Sequence, residues 1–147
     1  AQALRDSERR YRLLAENQSD IIWTLDANLR FTYLSPSVER LRGFTPEEAV
    51  DLPLERTLAP ASLERARAII AEEFARDGRS PGEPRVVELE HFCKDGSTIW
   101  LDVTANFVRD AEGRITEILG VARDLRERRR VELALQRLFG NDGLLPV

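Results

Sequence analysis

The sequence is short of the residues that build metal, disulfide and haem sites. Among its 147 residues there is one cysteine, Cys93, and one histidine, His91. A single cysteine excludes an intramolecular disulfide and any metal site that needs several cysteine ligands. It also agrees with a reducing compartment, so we expect a cytoplasmic location and predict no metal site.

The sequence also has no long apolar run and no large excess of one charge. No stretch approaches the roughly 20 apolar residues of a membrane-spanning helix, and no signal peptide is recognisable. The net charge of −4 gives no field that would draw the chain to nucleic acid or to anionic lipid. We therefore expect neither a nucleic-acid partner nor a direct membrane contact. Methionine is absent, even at the first position, from which we expect a piece of a longer protein.

The sequence does contain a balanced composition and a clear β pattern. Hydrophobic residues make up 42% and charged residues 33%, which suits one domain with a modest core. Between Val86 and Asp124 apolar and polar residues alternate, with Gly96 and Gly113 in the turns. A period of two between glycine-bearing turns predicts an antiparallel three-stranded meander. The strands predicted for the whole chain are Ile21–Asp26, Arg30–Ser35, Val86–Cys93, Thr98–Arg109 and Ile115–Arg123.

Helical periodicity and capping signals mark the rest of the chain. Thr45 followed by Glu48 is a capping box, and Ser35 before Pro36 predicts another helix start, with Ser35 as the N-cap. Gly43 supplies the end of the first short helix. Longer helices are predicted from apolar residues at helical spacing, at 1–18, 61–77 and 125–139.

Strand parity selects the side chains that face the interior. His91 shares one face of its strand with Val87 and Leu89, while Glu88 and Glu90 share the other face. Burial of unpaired carboxylates is costly, so we expect the face with His91 to point inward. On the next strand the same argument places Ile99, Leu101, Val103 and Ala105 inward.

Three interpretations of His91 remain open. It is a neutral core histidine bonded to backbone, a contact to a bound ligand, or a metal or haem ligand. An acid–base pair with Asp102 is disfavoured, because the two residues have opposite parities. No Ser-His-Asp spacing or phosphate-binding loop is present, so we expect a non-catalytic domain. Cys93 is interpreted as an inert thiol.

Several segments of the chain resemble PAS sensory domains. Lys94–Trp100, Val108–Arg114 and Gly120–Asp124 resemble the C-terminal half of that family, and Ser19–Asp26, Phe31–Ser37 and Gly43–Glu48 resemble its N-terminal half. The resemblance covers about residues 18 to 126. It implies an α+β PAS fold, which has a five-stranded antiparallel sheet with short helices on one face and flanking N-terminal and C-terminal helices. The implied division is an amphipathic or coiled-coil helix at 1–18, a PAS core at 19–124, an output linker helix at 125–139 and a tail at 140–147.

The resemblance also implies a function. The domain would detect a small ligand, or relay a signal, for an output domain in the same chain. That output would be a histidine kinase of a two-component system or a diguanylate cyclase. The alternative is a ligand-free homodimerisation module with a filled core, and a remote alternative is a small α+β enzyme.

By resemblance, the inward-facing residues line a ligand cavity under the helix at 61–77. The candidate cavity residues are Trp23, Leu25, Ile70, His91, Leu101 and Val103. We predict no cofactor, although a small molecule of unspecified identity remains open. Haem is disfavoured because PAS domains take its axial histidine from the long helix, which here has none. Covalently reacting flavin is disfavoured because the motif Asn-Cys-Arg-Phe-Leu-Gln is absent.

The resemblance assigns signal relay to Asp124, Leu125 and Arg126. The usual tripeptide is Asp, an aliphatic residue and Thr, so Arg126 departs from the family pattern. This junction would pass a change in the sheet into the helix that follows.

A homodimer is predicted from the outer face of the meander. Trp100 shares that face with Ile115, Leu119 and Val121, and monomers rarely leave such a patch exposed. In PAS domains the N-terminal helix and a second copy provide the cover. We therefore predict an interface near Tyr11, Leu14, Trp100 and Leu119.

Overall fold

The computed structural model describes residues 19–78 and 82–139. The strands in these ranges are β1 (Ile21–Asp26), β2 (Phe31–Leu34), β3 (Arg85–Phe92), β4 (Thr98–Arg109) and β5 (Ile115–Asp124). The helices are α1 (Ser37–Arg42), α2 (Pro46–Val50), α3 (Leu54–Thr57), α4 (Pro60–Ala75) and α5 (Leu125–Phe139). The helix predicted at 1–18 and the tail at 140–147 lie outside the described residues.

The strands form one antiparallel sheet in the order β2-β1-β5-β4-β3. The first and last strands of the fold therefore lie side by side, with Trp23 opposite Gly120. This confirms the predicted five-stranded α+β architecture. It also confirms the predicted parities, because His91 and the inward residues of β4 are buried while Asp102 lies on the outer face.

The short helices begin and end largely where their capping residues predict. Thr45 Oγ1 accepts from the N–H of Glu48 (3.1 Å), and Glu48 Oε1 accepts from the N–H of Thr45 (2.9 Å). Gly43 ends α1 with a φ of 85°, a left-handed conformation that glycine adopts without a steric penalty. Ser35, however, is not the N-cap of α1. Its hydroxyl accepts from the N–H of Ile22 (2.8 Å) instead, and the helix begins only after Pro36.

Helices α3 and α4 lie against the edge strand β3. The N–H of Ala59 donates to the carbonyl of Glu90 (2.9 Å), and the N–H of Glu90 donates to Ser62 Oγ (2.7 Å). Arg65 Nη1 donates to the carbonyl of Glu88 (3.0 Å). These bonds pair backbone groups that an edge strand would otherwise leave open, and they hold α4 beside the inner face of the sheet.

The last strand departs from the predicted alternation. The pairing of β4 and β5 shifts by one residue, so Val108 is opposite Glu117 whereas Arg109 is opposite Ile115. Such a bulge reverses parity on one strand. Ile115 therefore faces inward and joins the core with 7% of its surface exposed, so its predicted place on the outer face is wrong.

Candidate ligand cavity and its link to the terminal helix

A cavity of about 90 Å³ lies between the inner face of the sheet and helices α3 and α4. One water molecule needs roughly 10–15 Å³ measured in this way, so the space exceeds a single water site several-fold. The structure brings all six predicted cavity residues to its wall, namely Trp23, Leu25, Ile70, His91, Leu101 and Val103. Most of the other lining residues are apolar, so the site is a hydrophobic pocket with few polar groups.

Trp23 forms part of the wall because Gly120 leaves room for its ring. A Cβ atom at position 120 would lie 2.9 Å from Trp23 Cζ2 and 1.8 Å from the carbonyl oxygen of Thr104. Glycine therefore allows the indole to lie directly over β5. The indole Nε1 is buried and has no hydrogen-bond partner among the described residues.

His91 is buried at the far end of β3, with 8% of its surface exposed. Its Nδ1 lies 3.1 Å from the carbonyl oxygen of Leu89, and a carbonyl can only accept, so Nδ1 carries the proton. Burial, helped by the nearby positive charge of Arg42, lowers the pKa of His91 to about 3. His91 is therefore a neutral core histidine bonded to backbone, and it also lines the cavity.

Arg42 is a charged cavity residue that sequence reasoning missed. It lies in the last turn of α1, where a basic residue ordinarily complements the helix dipole from the surface. Instead, only 3% of its surface is exposed. Arg42 Nε donates a hydrogen bond to the carbonyl of Phe92 (2.9 Å), and the guanidinium carbon lies 5.2 Å from the centre of the Phe44 ring. These two contacts hold the guanidinium in the protein interior. No local sequence pattern signals this, because both groups come from distant or irregular segments.

The charge of Arg42 has no anionic partner in the described ion pairs. Its Nη2 is buried and makes no hydrogen bond within the part of the chain that the structure describes. Burial lowers the pKa of Arg42 to about 10, which still leaves it protonated at neutral pH.

Arg85, the other arginine on the cavity wall, is neutralised. Its Nη2 lies 2.7 Å from Glu72 Oε1 and its Nη1 lies 3.0 Å from Glu73 Oε2. In the described ranges, no group of three or more His, Cys, Asp or Glu side chains is arranged to hold a metal ion.

The cavity wall connects directly to the start of α5. Leu101 is fully buried, lines the cavity and is paired with Asp124 across β4 and β5. Asp124 Oδ1 accepts from the backbone N–H of Arg126 (2.9 Å), and Asp124 Oδ2 lies 3.1 Å from Arg126 Nη2. The three predicted relay residues thus form one cap, in which Leu125 is buried. Arg126 pairs with Asp124 at the position where the family pattern has Thr.

The predicted interface residues do not form one exposed patch in the single chain. Trp100 is 44% exposed on the outer face, but Leu119 is only 7% exposed. Tyr11 and Leu14 lie outside the described residues. The large apolar side chains exposed on this face of β3 and β4 are Val86, Trp100 and Val108.

The fold and the cavity are those of a sensory α+β domain, and a family model identifies which one. The model of the PAS fold matches residues 9–125. The chain therefore belongs to the PAS family of sensory and signalling domains. None of the helices in the described ranges is both long and apolar enough to cross a membrane.

Similar proteins include two curated sensor kinases. The chain is 27% identical over 136 residues to the sensor histidine kinase TmoS of Ectopseudomonas mendocina, which covers 92% of this chain and 14% of that protein. It is 32% identical over 124 residues to the methanogenesis regulatory histidine kinase FilI of Methanothrix harundinacea. That match covers 84% of this chain and 13% of the kinase. The chain thus spans about one seventh of these relatives. A solved PAS domain from Colwellia psychrerythraea superposes with a TM-score of 0.64 at 18% identity, covering 83% of this chain and 96% of that one.

Proposed function

We propose that this chain is the sensory module of a larger signalling protein, in which a small molecule in the cavity changes the junction at Asp124. The observation that carries the proposal is the direct pairing of Leu101 with Asp124. Leu101 is part of the cavity wall and Asp124 caps α5. A displacement of Leu101 therefore acts on the cap through a single pair of neighbouring strands. Ile118 and Ala122 on β5 also line the cavity, which makes the strand before α5 part of the sensor.

The output domain lies outside this chain in the proposal. The relatives named as histidine kinases are about seven times longer than the matched region. This favours a kinase of a two-component system over a diguanylate cyclase as the output. The domain itself is non-catalytic, because His91 faces the cavity whereas Asp102 faces outward. A cytoplasmic location without nucleic-acid or membrane contacts fits this role.

The size of the cavity limits the ligand. Its volume of about 90 Å³ is below the roughly 150 Å³ of an engineered cavity that binds benzene. Leu101 and Val103 fill the part of the sheet over which a flat ring system would lie. The ligand is therefore small, and the purified domain is expected to be colourless, without bound haem or flavin.

The main alternative is a homodimerisation module without a ligand. It is favoured by the exposed apolar side chains on the outer face of the sheet and on α5. Those of α5 are Leu133, Leu135, Leu138 and Phe139, all of which are exposed in the single chain. In the proposal the two roles coexist, because a dimer places two α5 helices side by side for the output domain.

Native mass spectrometry, combined with absorbance spectroscopy, distinguishes the ligand-sensing module from the ligand-free dimerisation module. Ala105→Leu adds bulk to the cavity wall, and Thr104→Leu adds similar bulk to the adjacent residue on the outer face. A small additional mass on the unmodified chain and on Thr104→Leu, but not on Ala105→Leu, supports ligand sensing. If the unmodified chain carries no additional mass and takes up nothing from a small-molecule library, the ligand-free module is correct. Visible absorbance that survives dialysis would contradict the size argument.

A further inference from the structure

The cavity has one feature that an apolar pocket does not need, namely the buried charge of Arg42. The described residues place no carboxylate in an ion pair with it, and Nη2 is left without a hydrogen bond. A buried donor on a charged group that remains unpaired carries a large desolvation cost. Arg85 on the same wall avoids this cost through Glu72 and Glu73. An anion delivered from outside the chain would do the same for Arg42.

Among the described residues, the buried side-chain polar atoms without a hydrogen-bond partner are all donors. Side-chain N and O atoms that are buried without a partner in the described ranges are Trp23 Nε1, Arg42 Nη2 and Arg109 Nε. All three are donors, and both Trp23 and Arg42 line the cavity. His91 adds no competing charge, since it is neutral. The polar part of a ligand is therefore an acceptor, and the guanidinium favours an acceptor with negative charge.

The rest of the wall limits the remainder of the ligand. The other lining side chains around Arg42 are mainly aliphatic or aromatic, and the volume accommodates only a few heavy atoms. We propose that the cavity binds a small monocarboxylate with an apolar tail, whose carboxylate pairs with Arg42. This inference rests on the proposed ligand-sensing function and names the class of ligand.

His91 provides a reporter for the test. It is the only histidine of the chain and it lines the cavity, so its ring proton signals in NMR respond to a molecule bound there. The probes are propionate and butyrate, each compared with its neutral amide, propionamide and butyramide. Arg42→Gln removes the charge inside the cavity. Arg40→Gln removes a charge from the same helix at an exposed position and is the matched control.

The expected result is saturable movement of the His91 signals by at least one of the carboxylates. We expect the carboxylate to bind at least about tenfold more tightly than its amide. Arg40→Gln should keep this preference and Arg42→Gln should lose it. If Arg42→Gln fails to fold, the comparison of acid with amide on the unmodified chain decides alone.

Two results would overturn the inference. Equal binding of acid and amide would mean that Arg42 does not select an anion, while ligand sensing itself would stand. Failure of both carboxylates to bind, on a chain that carries another small molecule in native mass spectrometry, would exclude the carboxylate but again not the sensory role. Failure to bind any small molecule would remove the inference together with the proposed function.

Discussion

At the scale of single residues, two of the three basic side chains on the cavity wall, His91 and Arg42, are buried in opposite protonation states. Desolvation acts on both, lowering the pKa of His91 to about 3 and that of Arg42 to about 10. The histidine therefore loses its charge at neutral pH, whereas the arginine keeps it. Because Arg85 on the same wall is paired with Glu72 and Glu73, Arg42 is the charged side chain of the cavity wall without an ion pair among the described residues.

A pH prediction follows for His91. Its pKa is about 3 in the folded chain, against an ordinary value of 6.5, so the unfolded chain takes up the proton first as the pH falls. The free energy of unfolding should therefore decrease from about pH 6.5 downward, by about 2 kcal/mol at pH 5. Urea denaturation at several pH values measures this, with His91→Gln as the variant that lacks the titration. Parallel curves for the two chains between pH 5 and 6.5 would contradict the account.

Residue parity was predictable where the pattern was strict. Glu88 and Glu90 on one face of β3 were enough to place His91 and Leu89 inside. Arg42 was not predictable, because its burial depends on the carbonyl of Phe92, 50 residues away in sequence. A charged residue at a helix end predicts exposure in most contexts, and only tertiary packing overrides it here.

At the scale of elements, Glu73 joins α4 to the sheet. Its buried carboxylate lies within 3.3 Å of Arg76 Nε and 3.0 Å of Arg85 Nη1, and its backbone carbonyl accepts from Arg109 Nη2 (2.6 Å). Burial alone would raise the pKa of Glu73, but the hydrogen bonds from Arg85 and Arg76 outweigh it and hold the pKa below the ordinary value. This cluster fixes the end of α4 that borders the cavity.

Glu73→Gln should therefore destabilise the fold by about 3 kcal/mol, because it removes the buried negative charge that Arg76, Arg85 and Arg109 share. The matched control is Glu72→Gln, which removes the exposed partner of Arg85 and should cost less than about 1 kcal/mol. Chemical denaturation measures both. The folded pKa of Glu73 lies below 4.5, so its contribution is present above that pH and is lost in more acidic solution. Equal effects of the two substitutions at pH 7 would show that the cluster does not stabilise α4.

The five strands and helices α4 and α5 were predictable to within one or two residues, apart from the bulge in the last hairpin, whereas α3 was not predicted. Alternation predicted β5, but one extra residue in the pairing turned Ile115 inward. A bulge follows from how two strands meet, and the sequence of one strand does not contain that information. The capping box of α2 was predictable because both of its hydrogen bonds are local.

At the scale of the whole molecule, the prediction is a two-fold homodimer. Trp100 is exposed on the outer face opposite Glu90, and the exposed side chains of Val86 and Val108 lie further along the same face. Trp100→Glu should release monomers, because it places a charge in a desolvated contact. Ser97→Glu, in the exposed turn beside it, is the control and should remain dimeric. Light scattering at micromolar concentrations measures the mass, and a monomeric unmodified chain would mean that dimerisation requires more of the parent protein.

The central claim is that occupancy of the cavity changes the local stability of the backbone at the start of α5. Hydrogen exchange of the backbone amides of Leu125 and Arg126 tests it most directly, with Ala105→Leu as a permanently filled cavity and Thr104→Leu as the outer-face control. Ala105 pairs with Gly120, four residues before Asp124, so the substitution does not touch the cap. The account predicts altered exchange at Leu125 and Arg126 in Ala105→Leu alone. Unchanged exchange, in a chain whose His91 signals show that the cavity is filled, would contradict it.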